Sequence, residues 1–502
     1  MSKDTTLTRQ DSLSFRTGVI LIGNIAYLTL KLILPIILVR LISKDAFGTY
    51  RQTFLVYTTL TTIFLLGIPQ SIYYFVPKLS KEKQWDFLIQ SLLFLEIISI
   101  LIALLMWNFS GLIAQFFNNP ELQQYLKIIS FYVVFLLPAE CFIPLMICLD
   151  KQFLAATRKV FFGILFLIAV ILPLALGYTL KHVFYALVLT GSIQLFIVLF
   201  HIKKAFTQSH FSKDFSLLKS QLNYSLPIGF SSILGILTRE IDKYMISFYF
   251  LPQQFAVYAI GARELPFVPA ITYSVSNVIQ PKLVSYYDKN DLNCFFDLWH
   301  RSIRKTALVI CPLFVFSLVF AGQIILALYT NAYLESVVIF RIYLLALPLR
   351  ITTYGTVLLA MGSSREVMIS TVIALIANII LNVFLIQVLG LAGAAIATTI
   401  VVYIGVIYLL YQIRVKSKWS VYKLLPWQVL LRIFLVSILC GLVVYPLLQS
   451  KLSPFLVVVC GLLLYYTLFY LIARKFDILR TEEINQIKEF LRIKSVQRRE
   501  TN

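Results

Sequence analysis

From residue 18 to residue 474 the chain is a succession of apolar runs, each about 20 residues long and each broken by a polar segment. A helix rises 1.5 Å per residue, so about 20 residues cross the roughly 30 Å hydrocarbon core of a bilayer. Strands of an outer-membrane barrel would alternate with period two over about ten residues, and these runs do not alternate. Inside lipid each backbone polar group has to bond within its own segment, so the runs predict helices. Only 13% of the 502 residues are charged and 59% are hydrophobic, too little polar surface for a soluble protein of this size. The expected fold class is therefore an all-α polytopic membrane protein with about 14 transmembrane helices. They are expected near residues 18–42, 53–77, 86–107, 125–149, 159–178, 182–202, 226–250, 256–281, 305–329, 336–361, 366–389, 391–413, 426–447 and 453–473. The first run follows the polar "MSKDTTLTRQDSLSFR" and lacks a small-residue cleavage site, so it reads as a retained span.

Orientation follows from the basic residues. The segments "KLSKEK", "DKQFLAATRK", "HIKKAFTQSHFSKDFSLLK", "YYDKNDLNCFFDLWHRSIRK" and "RVKSKWSVYK" follow even-numbered spans and, with both tails, hold most of the 44 Lys and Arg. The positive-inside rule then puts both termini in the cytoplasm. The net charge of +21 becomes a topology signal and an attraction to anionic membrane lipids, and it calls for no nucleic acid partner. Outward loops are short, with no room for a catalytic domain, so the chain is not expected to be an enzyme. The six cysteines lack C-x-x-C spacing and read as buried thiols. No metal or other cofactor is expected.

An internal repeat organises the spans. Setting Phe47 on Phe255 and Tyr50 on Tyr258 gives an offset of 208 residues, which also sets Lys31 on Arg239, Ala186 on Ala394 and Thr190 on Thr398. Each match alone is weak, but one offset over six helices predicts a duplication. The expected organisation is an N-terminal lobe (1–202, spans 1–6), a cytoplasmic linker (203–221) and a C-terminal lobe (222–424, spans 7–12). An extra helix pair (425–474) and a basic amphipathic cytoplasmic tail (475–502) follow. An even number of spans per copy keeps both lobes in one orientation, with a cleft between them.

Charges inside spans point to function, because a mid-bilayer charge costs about 2.5 to 3.5 kcal/mol on insertion scales and normally faces a cavity. The stretch "ILTREIDKYMISFYF" packs Arg239, Glu240, Asp242 and Lys243 into five positions of the seventh span. Arg239 and Lys243 are four apart on one helix face, while Asp242 and Glu240 each stand three from a cation. This supports two readings, an ion-pair staple or the lining of a cationic cleft. Lys31, Arg263, Arg341, Arg350, Glu96, Glu140 and Glu264 also lie in spans. A cationic cleft attracts a phosphate or pyrophosphate, and Arg suits those oxygens with its forked geometry. The candidate substrate-binding residues are Lys31, Arg239, Lys243 and Arg263. Asp242 and Glu140 are candidates for proton or Na+ coupling, or for simple ion pairing. Thr58, Thr59, Thr61 and Thr62 either line the second span or bond their own backbone. Asn378 and Asn382, four apart, are expected to clip helices together. Pro35, Pro69, Pro138, Pro227 and Pro269 are expected to kink spans. No Walker-type phosphate loop is present.

The segments "LVRLISKDAFGTY", "LGIPQSIYYFVPK", "LPIGFSSILGILTREIDKYMISFYFLPQQFAVYAIGARE", "VSNVIQPKL" and "NIILNVFLIQVLGLAGAAIATTI" resemble the polysaccharide-transporter family of Wzx-type O-antigen and exopolysaccharide flippases, within the MATE-like MOP superfamily. The resemblance runs from about residue 10 to about residue 475. It implies a MATE-like two-lobe bundle, six plus six spans and an extra pair, in the bacterial inner membrane. It also implies that an undecaprenyl-pyrophosphate-linked oligosaccharide is moved to the outer leaflet by alternating access, with polysaccharide polymerase or assembly proteins as partners. The alternatives are a MurJ-like lipid II flippase, a MATE-type antiporter and a non-transporting scaffold of a polysaccharide assembly complex. Lys31 in the first span, where an antiporter for organic cations would carry a carboxylate, disfavours the antiporter.

Overall fold

A computed structural model describes residues 13–206, 216–265, 267–476 and 478, with side chains described from residue 18 in the first segment and 217 in the second. The elements run α1 (Leu13–Leu41), α2 (Lys44–Phe64), α3 (Ile68–Phe75), α4 (Lys81–Phe116), α5 (Leu122–Ala139), α6 (Phe142–Cys148), α7 (Gln152–Ala175), α8 (Leu180–Ala205), α9 (Ser216–Tyr249) and α10 (Pro252–Gly261). They continue with α11 (Phe267–Asp288), α12 (Leu292–Val319), α13 (Ala321–Leu328), α14 (Ser336–Leu344), α15 (Tyr354–Ala360), α16 (Ser364–Leu389), α17 (Leu391–Ser417), α18 (Val421–Leu424), α19 (Trp427–Val444) and α20 (Pro454–Lys475). Among the described residues there is no strand. The chain is a multi-pass, all-helical membrane protein, as its apolar runs require.

Eleven of these helices, among the described residues, are long and apolar enough to cross a bilayer, and a twelfth span forms if α14 and the bent segment Leu347–Ala360 are taken together across their 42° bend. The expected count of about 14 is not reached on this measure. The difference lies in the expected spans 226–250 and 256–281. The first falls on α9, which carries four charges between 239 and 243, and the second on α10 and α11, interrupted around Arg263 and Glu264. Polarity, rather than length, takes α9 out of the count. The expected linker at 203–221 lies partly, and the amphipathic tail at 475–502 almost wholly, outside the described residues.

Two neighbouring element boundaries fall on the offset of 208. α1 ends at Leu41 and α9 at Tyr249, while α2 starts at Lys44 and α10 at Pro252, both pairs at the offset of 208. Phe47 and Phe255 are buried alike, as are Tyr50 and Tyr258, while Lys31 and Arg239 are both exposed.

Packing divides the described residues into two compact units, one drawn from Met1–Ile260 and Leu375–Ala394, the other from Gly261–Ala374 and Ala395–Asn502. In the first unit α1 packs on α7 and α4 on α5. The α1–α7 seam depends on small residues, which let membrane helices approach closely. A Cβ on Gly23 would lie 2.9 Å from the Ala156 Cβ, and one on Gly163 would lie 2.8 Å from the Tyr27 ring. Helix α9 is bonded into this unit along its length. The buried Gln221 side chain donates to Ser71 Oγ (2.8 Å) and accepts from Ser91 Oγ (3.0 Å), and Gln90 Oε1 accepts the Leu218 amide (3.1 Å). Near the other end Asn118 donates to the Phe248 carbonyl (2.6 Å), and a Cβ on Gly48 would meet the Pro252 carbonyl oxygen at 1.9 Å. Asn378 of α16 donates to the Thr238 carbonyl (3.2 Å), so it clips helices as expected.

In the second unit α12 is the hub, packed against α11, α19 and the 347–351 turn. Its buried face carries Phe295, Phe296, Trp299, Ile303, Ala307 and Ile310, a helical repeat of apolar residues. The Trp299 indole donates to Thr352 Oγ1 at 2.9 Å, and Tyr465 on α20 donates to the Ser437 carbonyl of α19 at 3.0 Å. Pro69 and Pro269 sit in the first turns of α3 and α11, where a missing N–H costs nothing. Pro35 and Pro227 lie inside continuous α1 and α9.

Candidate functional site

Two groups of charged side chains lie within the spans of the first unit. The first forms where α5 breaks. Pro138 cannot donate to the preceding turn, its ring crowds the carbonyl four residues back, and the helix ends at Ala139 with Glu140 as its cap. Glu140 is thereby exposed rather than packed on a helix face. Its electrostatic neighbours are Lys31 of α1 and Lys159 of α7. The two lysines share a ring, with Lys31 Nζ 4.7 Å and Lys159 Nζ 5.2 Å from the centroid of Tyr27. Lys159 also donates to Asn24 Oδ1 at 2.7 Å. Tyr57 of α2 and Tyr132 of α5, their rings 5.6 Å apart, complete the surroundings within electrostatic range of Glu140. Tyr132 is seated against Gly191, where a Cβ would come within 2.7 Å of its ring.

Helix pitch explains the convergence. Asn24, Tyr27 and Lys31 are spaced three and four apart, one stripe of α1, while Lys159 and Gly163 are four apart on the face of α7 that meets it. Lys31 stands 10 residues, about 15 Å, from the C-terminal end of α1. A cation over an aromatic face gains about 0.5 to 2 kcal/mol depending on desolvation, which offsets part of the cost of a charge there.

The second group is the 239–243 cluster on α9, and its four charges have three different fates. Lys243 Nζ pairs with Glu240 at 2.7 Å. Asp242 is 1% exposed, and its carboxylate accepts from the Tyr258 hydroxyl at 2.7 Å and from the Lys243 amide at 2.8 Å, with the Lys243 ammonium group at 4.0 Å. Arg239 alone is exposed, and among the described residues its guanidinium makes no hydrogen bond or ion pair. Three members of the cluster are thus held by ion-pair and hydrogen-bond contacts, and Arg239 stands exposed beside them.

Arg263 belongs to the second unit, at the interruption between α10 and α11, where it reaches the Tyr329 hydroxyl at 3.5 Å. Its neighbour Glu264 pairs with Arg350 from the turn after α14. These residues line a cavity of about 30 Å³ with Tyr343, Thr398 and Thr399, space for a few waters and far less than a drug-sized ligand needs. The structure therefore brings Lys31 together with Glu140, and Asp242 with Lys243, and it gives Arg263 surroundings of its own. Of the four α2 threonines Thr58, Thr59, Thr61 and Thr62, three bond their own backbone, Thr58 to the Phe54 carbonyl at 2.7 Å, Thr61 to that of Tyr57 at 2.9 Å and Thr62 to that of Thr58 at 2.7 Å, while the buried Thr59 hydroxyl does not.

Sequence reasoning missed Lys159, Tyr27 and Asn24. Lys159 opens an apolar run and reads as a positive-inside charge. The polar stripe Asn24, Tyr27, Lys31 on an otherwise apolar helix was the signal that could have found its partners.

Comparison with known proteins follows the same lines. A family model described as "Polysaccharide biosynthesis protein" matches residues 37–338, more than half of the chain. A curated relative, the probable low-salt glycan biosynthesis flippase Agl15 of Haloferax volcanii, is 24% identical over 263 residues, which are 51% of this chain and 55% of that protein. The match thus spans about half the length of that relative. Among solved structures, the lipid II flippase MurJ in an inward closed conformation aligns with a TM-score of 0.72 at 19% identity, over 92% of this chain and 100% of that one. An outward-facing multidrug resistance MATE family transporter of the MOP superfamily aligns with a TM-score of 0.55 at 15% identity, over 84% and 100%. At such identities these likenesses establish the fold.

Proposed function

The chain belongs to the polysaccharide biosynthesis protein family, and from that membership we propose that it is a flippase. It carries an undecaprenyl-pyrophosphate-linked oligosaccharide, the repeat unit of an O-antigen, capsule or exopolysaccharide, from the inner to the outer leaflet of a bacterial inner membrane. Both termini are cytoplasmic, spans 1–6 (1–202) and 7–12 (222–424) are the two lobes, and the chain acts as a transporter without chemistry of its own.

The observation that supports this reading best is the pair of exposed cations at repeat-equivalent positions, Lys31 on α1 and Arg239 on α9. An anionic headgroup leaving water needs positive charge to offset its lost hydration, and among the described residues no carboxylate pairs with Arg239. Lys31 and Arg239 are accordingly the leading substrate-binding residues. Lys243, paired with Glu240, and Arg263, beside Tyr329, follow them. The sugars travel in the polar cleft while the prenyl chain stays in lipid, and one lobe rocks against the other.

The test is transfer of a labelled prenyl-pyrophosphate oligosaccharide across proteoliposomes by the unaltered chain, Arg239→Ala and Arg239→Lys at matched protein levels. Loss with Ala and partial recovery with Lys is expected. Unaltered transfer by Arg239→Ala would remove Arg239 from the path. Transfer of lipid II in place of the oligosaccharide carrier would move the assignment to a peptidoglycan-precursor flippase.

A further inference from the structure

Between Glu366 and Asp477 the sequence holds eight Lys and Arg and not one Asp or Glu. Four of the eight, Arg414, Lys416, Lys418 and Lys423, fall at the end of α17 and in the segment that leads through α18 to α19, and all four are exposed. Among the described residues, the carboxylates of the helices around them are engaged elsewhere. Asp297 of α12 pairs with Arg301 at 2.6 Å, and Glu366 of α16 accepts from the Tyr408 hydroxyl at 2.7 Å. A charge that serves only to orient a membrane protein needs no fixed position, yet this segment is pinned. Phe296, His300 and Arg304 are spaced four apart on α12, one stripe of that helix. Phe296 stacks on Trp419 with ring centroids 4.0 Å apart, and His300 donates through Nε2 to the Leu424 carbonyl at 2.9 Å. One turn further on, the buried Arg304 donates to the Ile478 carbonyl at 2.7 Å, which fixes the chain just past α20, where Arg474 and Lys475 are exposed as well. Lys418 itself closes α17 in the left-handed region, at φ 57°, with its amide bonded to the Arg414 carbonyl at 2.8 Å. Glycine is the ordinary residue at such a cap and an L side chain is strained there, so a cation stands where local structure favours glycine.

Two kinds of side chain make up the surface so fixed. Among the cations stand the exposed rings of Tyr422 and Trp427, and the Trp427 indole is steadied by a bond to the Val421 carbonyl at 3.4 Å. Leu424 and Leu425 of the same segment are buried, so it lies against the protein rather than reaching into water. Helices α17 and α19 are both long and apolar enough to cross a bilayer, which puts the segment between them at a membrane boundary. Trp and Tyr favour that headgroup level, and Lys and Arg there are drawn to anionic lipid. An acidic polypeptide would satisfy the cations but would leave the exposed rings at this level unexplained. We propose that the segment between α17 and α19 is a docking site for an anionic phospholipid, with the phosphate held by Lys416, Lys418 and Lys423 and the glycerol and upper acyl chains against Tyr422 and Trp427. The site uses none of the cations assigned to the transported substrate, so it goes beyond the flippase reading and does not depend on it.

The probe is fluorescent phosphatidylglycerol, with fluorescent phosphatidylcholine as the comparison without net charge, each titrated against the full-length chain in detergent. The unaltered chain is expected to bind phosphatidylglycerol about tenfold or more tightly than phosphatidylcholine. Each lysine removed should weaken phosphatidylglycerol by about fivefold, so Lys416→Gln, Lys418→Gln and Lys423→Gln combined should erase the preference. The combined Lys416→Arg, Lys418→Arg and Lys423→Arg chain should keep it, and Lys451→Gln, at the far end of α19, should leave it unchanged. Trp419→Leu loses the stack on Phe296 but retains every cation, and it should lose part of the preference. Equal binding of the two lipids by the unaltered chain, or an intact preference in the triple Gln chain, overturns the site. An intact preference in Trp419→Leu overturns it too, by reducing the patch to a diffuse positive field. Displacement of phosphatidylglycerol by an equal concentration of glycerol phosphate would reassign the cations to a soluble phosphate ester. Binding of polyglutamate without discrimination between the lipids would reassign them to an acidic polypeptide. If the triple Gln chain fails to insert or fold, the preference of the unaltered chain, the triple Arg chain and Trp419→Leu still decide. None of these measurements reads transport, so their failure leaves the flippase reading standing.

Discussion

Replacing Tyr258 by Phe separates the two roles open to Asp242. The Asp242 side chain is 1% exposed, one carboxylate oxygen accepts from the Tyr258 hydroxyl at 2.7 Å, and the other accepts from the Lys243 amide at 2.8 Å. The Lys243 ammonium group stands 4.0 Å from this carboxylate and 2.7 Å from Glu240, so its charge is largely engaged there. A hydrogen bond to a charged group contributes about 1.5 to 3 kcal/mol, and a buried group left short of a partner adds a desolvation cost. Tyr258→Phe should therefore destabilise the chain by about 2 kcal/mol, because the ring stays in place and only the donor is lost. The assay is thermal unfolding of the purified chain in detergent, compared at one scan rate because membrane proteins seldom unfold reversibly, together with oligosaccharide transfer in proteoliposomes. If this carboxylate serves structure alone, Asp242→Asn, which retains an acceptor oxygen for Tyr258, should keep most of the transfer activity. Unchanged stability of Tyr258→Phe would refute the assignment of Tyr258 as the partner that holds the carboxylate. Loss of transfer by a stable Asp242→Asn protein would refute the structural role and make Asp242 a coupling residue.

Other substitutions test the packing around this helix and around the lysine pair. Gly48→Ala puts a Cβ 1.9 Å from the Pro252 carbonyl oxygen, a backbone atom with nowhere to go, and should cost about 1 to 3 kcal/mol by overpacking, read as reduced thermal stability and yield. Gln221→Leu should change stability by less than about 1 kcal/mol. Ser71 and Ser91 each retain a bond to a backbone carbonyl, that of Ile68 and of Phe87, at 2.7 Å, so removing the glutamine strands neither hydroxyl; Gln221→Glu, which buries an unpaired charge, should be far worse in the same unfolding assay. Gly163→Val crowds Tyr27, whose ring already lies 2.8 Å from the site of an added Cβ, and should lower thermal stability by about 1 to 3 kcal/mol through overpacking of the α1–α7 seam. Asn378→Ala removes the bond to the Thr238 carbonyl and should cost about 0.6 kcal/mol, the usual size of such bonds between membrane helices.

Much of the architecture is legible in the sequence because it depends on local, additive quantities. Hydropathy summed over about 20 residues marks a span wherever it lies in the fold. The offset of 208 was readable in the same way, and the ends of α1 and α9 and the starts of α2 and α10 fall on it. Spans 226–250 and 256–281 show where that logic weakens. Once a helix carries charges it can afford only by facing other protein or water, its average hydropathy no longer reports whether it crosses.

Tertiary structure decided which partner each charge has. In sequence Arg239 and Lys243 are equivalent cations on one face, but Glu240 reaches Lys243 and no carboxylate reaches Arg239 among the described residues. Nothing local predicts that Asp242 turns inward to Tyr258, a residue 16 positions on and in the next helix. Lys159 stands 128 residues from Lys31 and joins it only because two glycines and an alanine let α7 lie against α1. Partition into a membrane is fixed residue by residue, and so a sequence carries it openly. The pairing of charges depends on distances of a few ångströms between helices, and those exist only after the chain has packed.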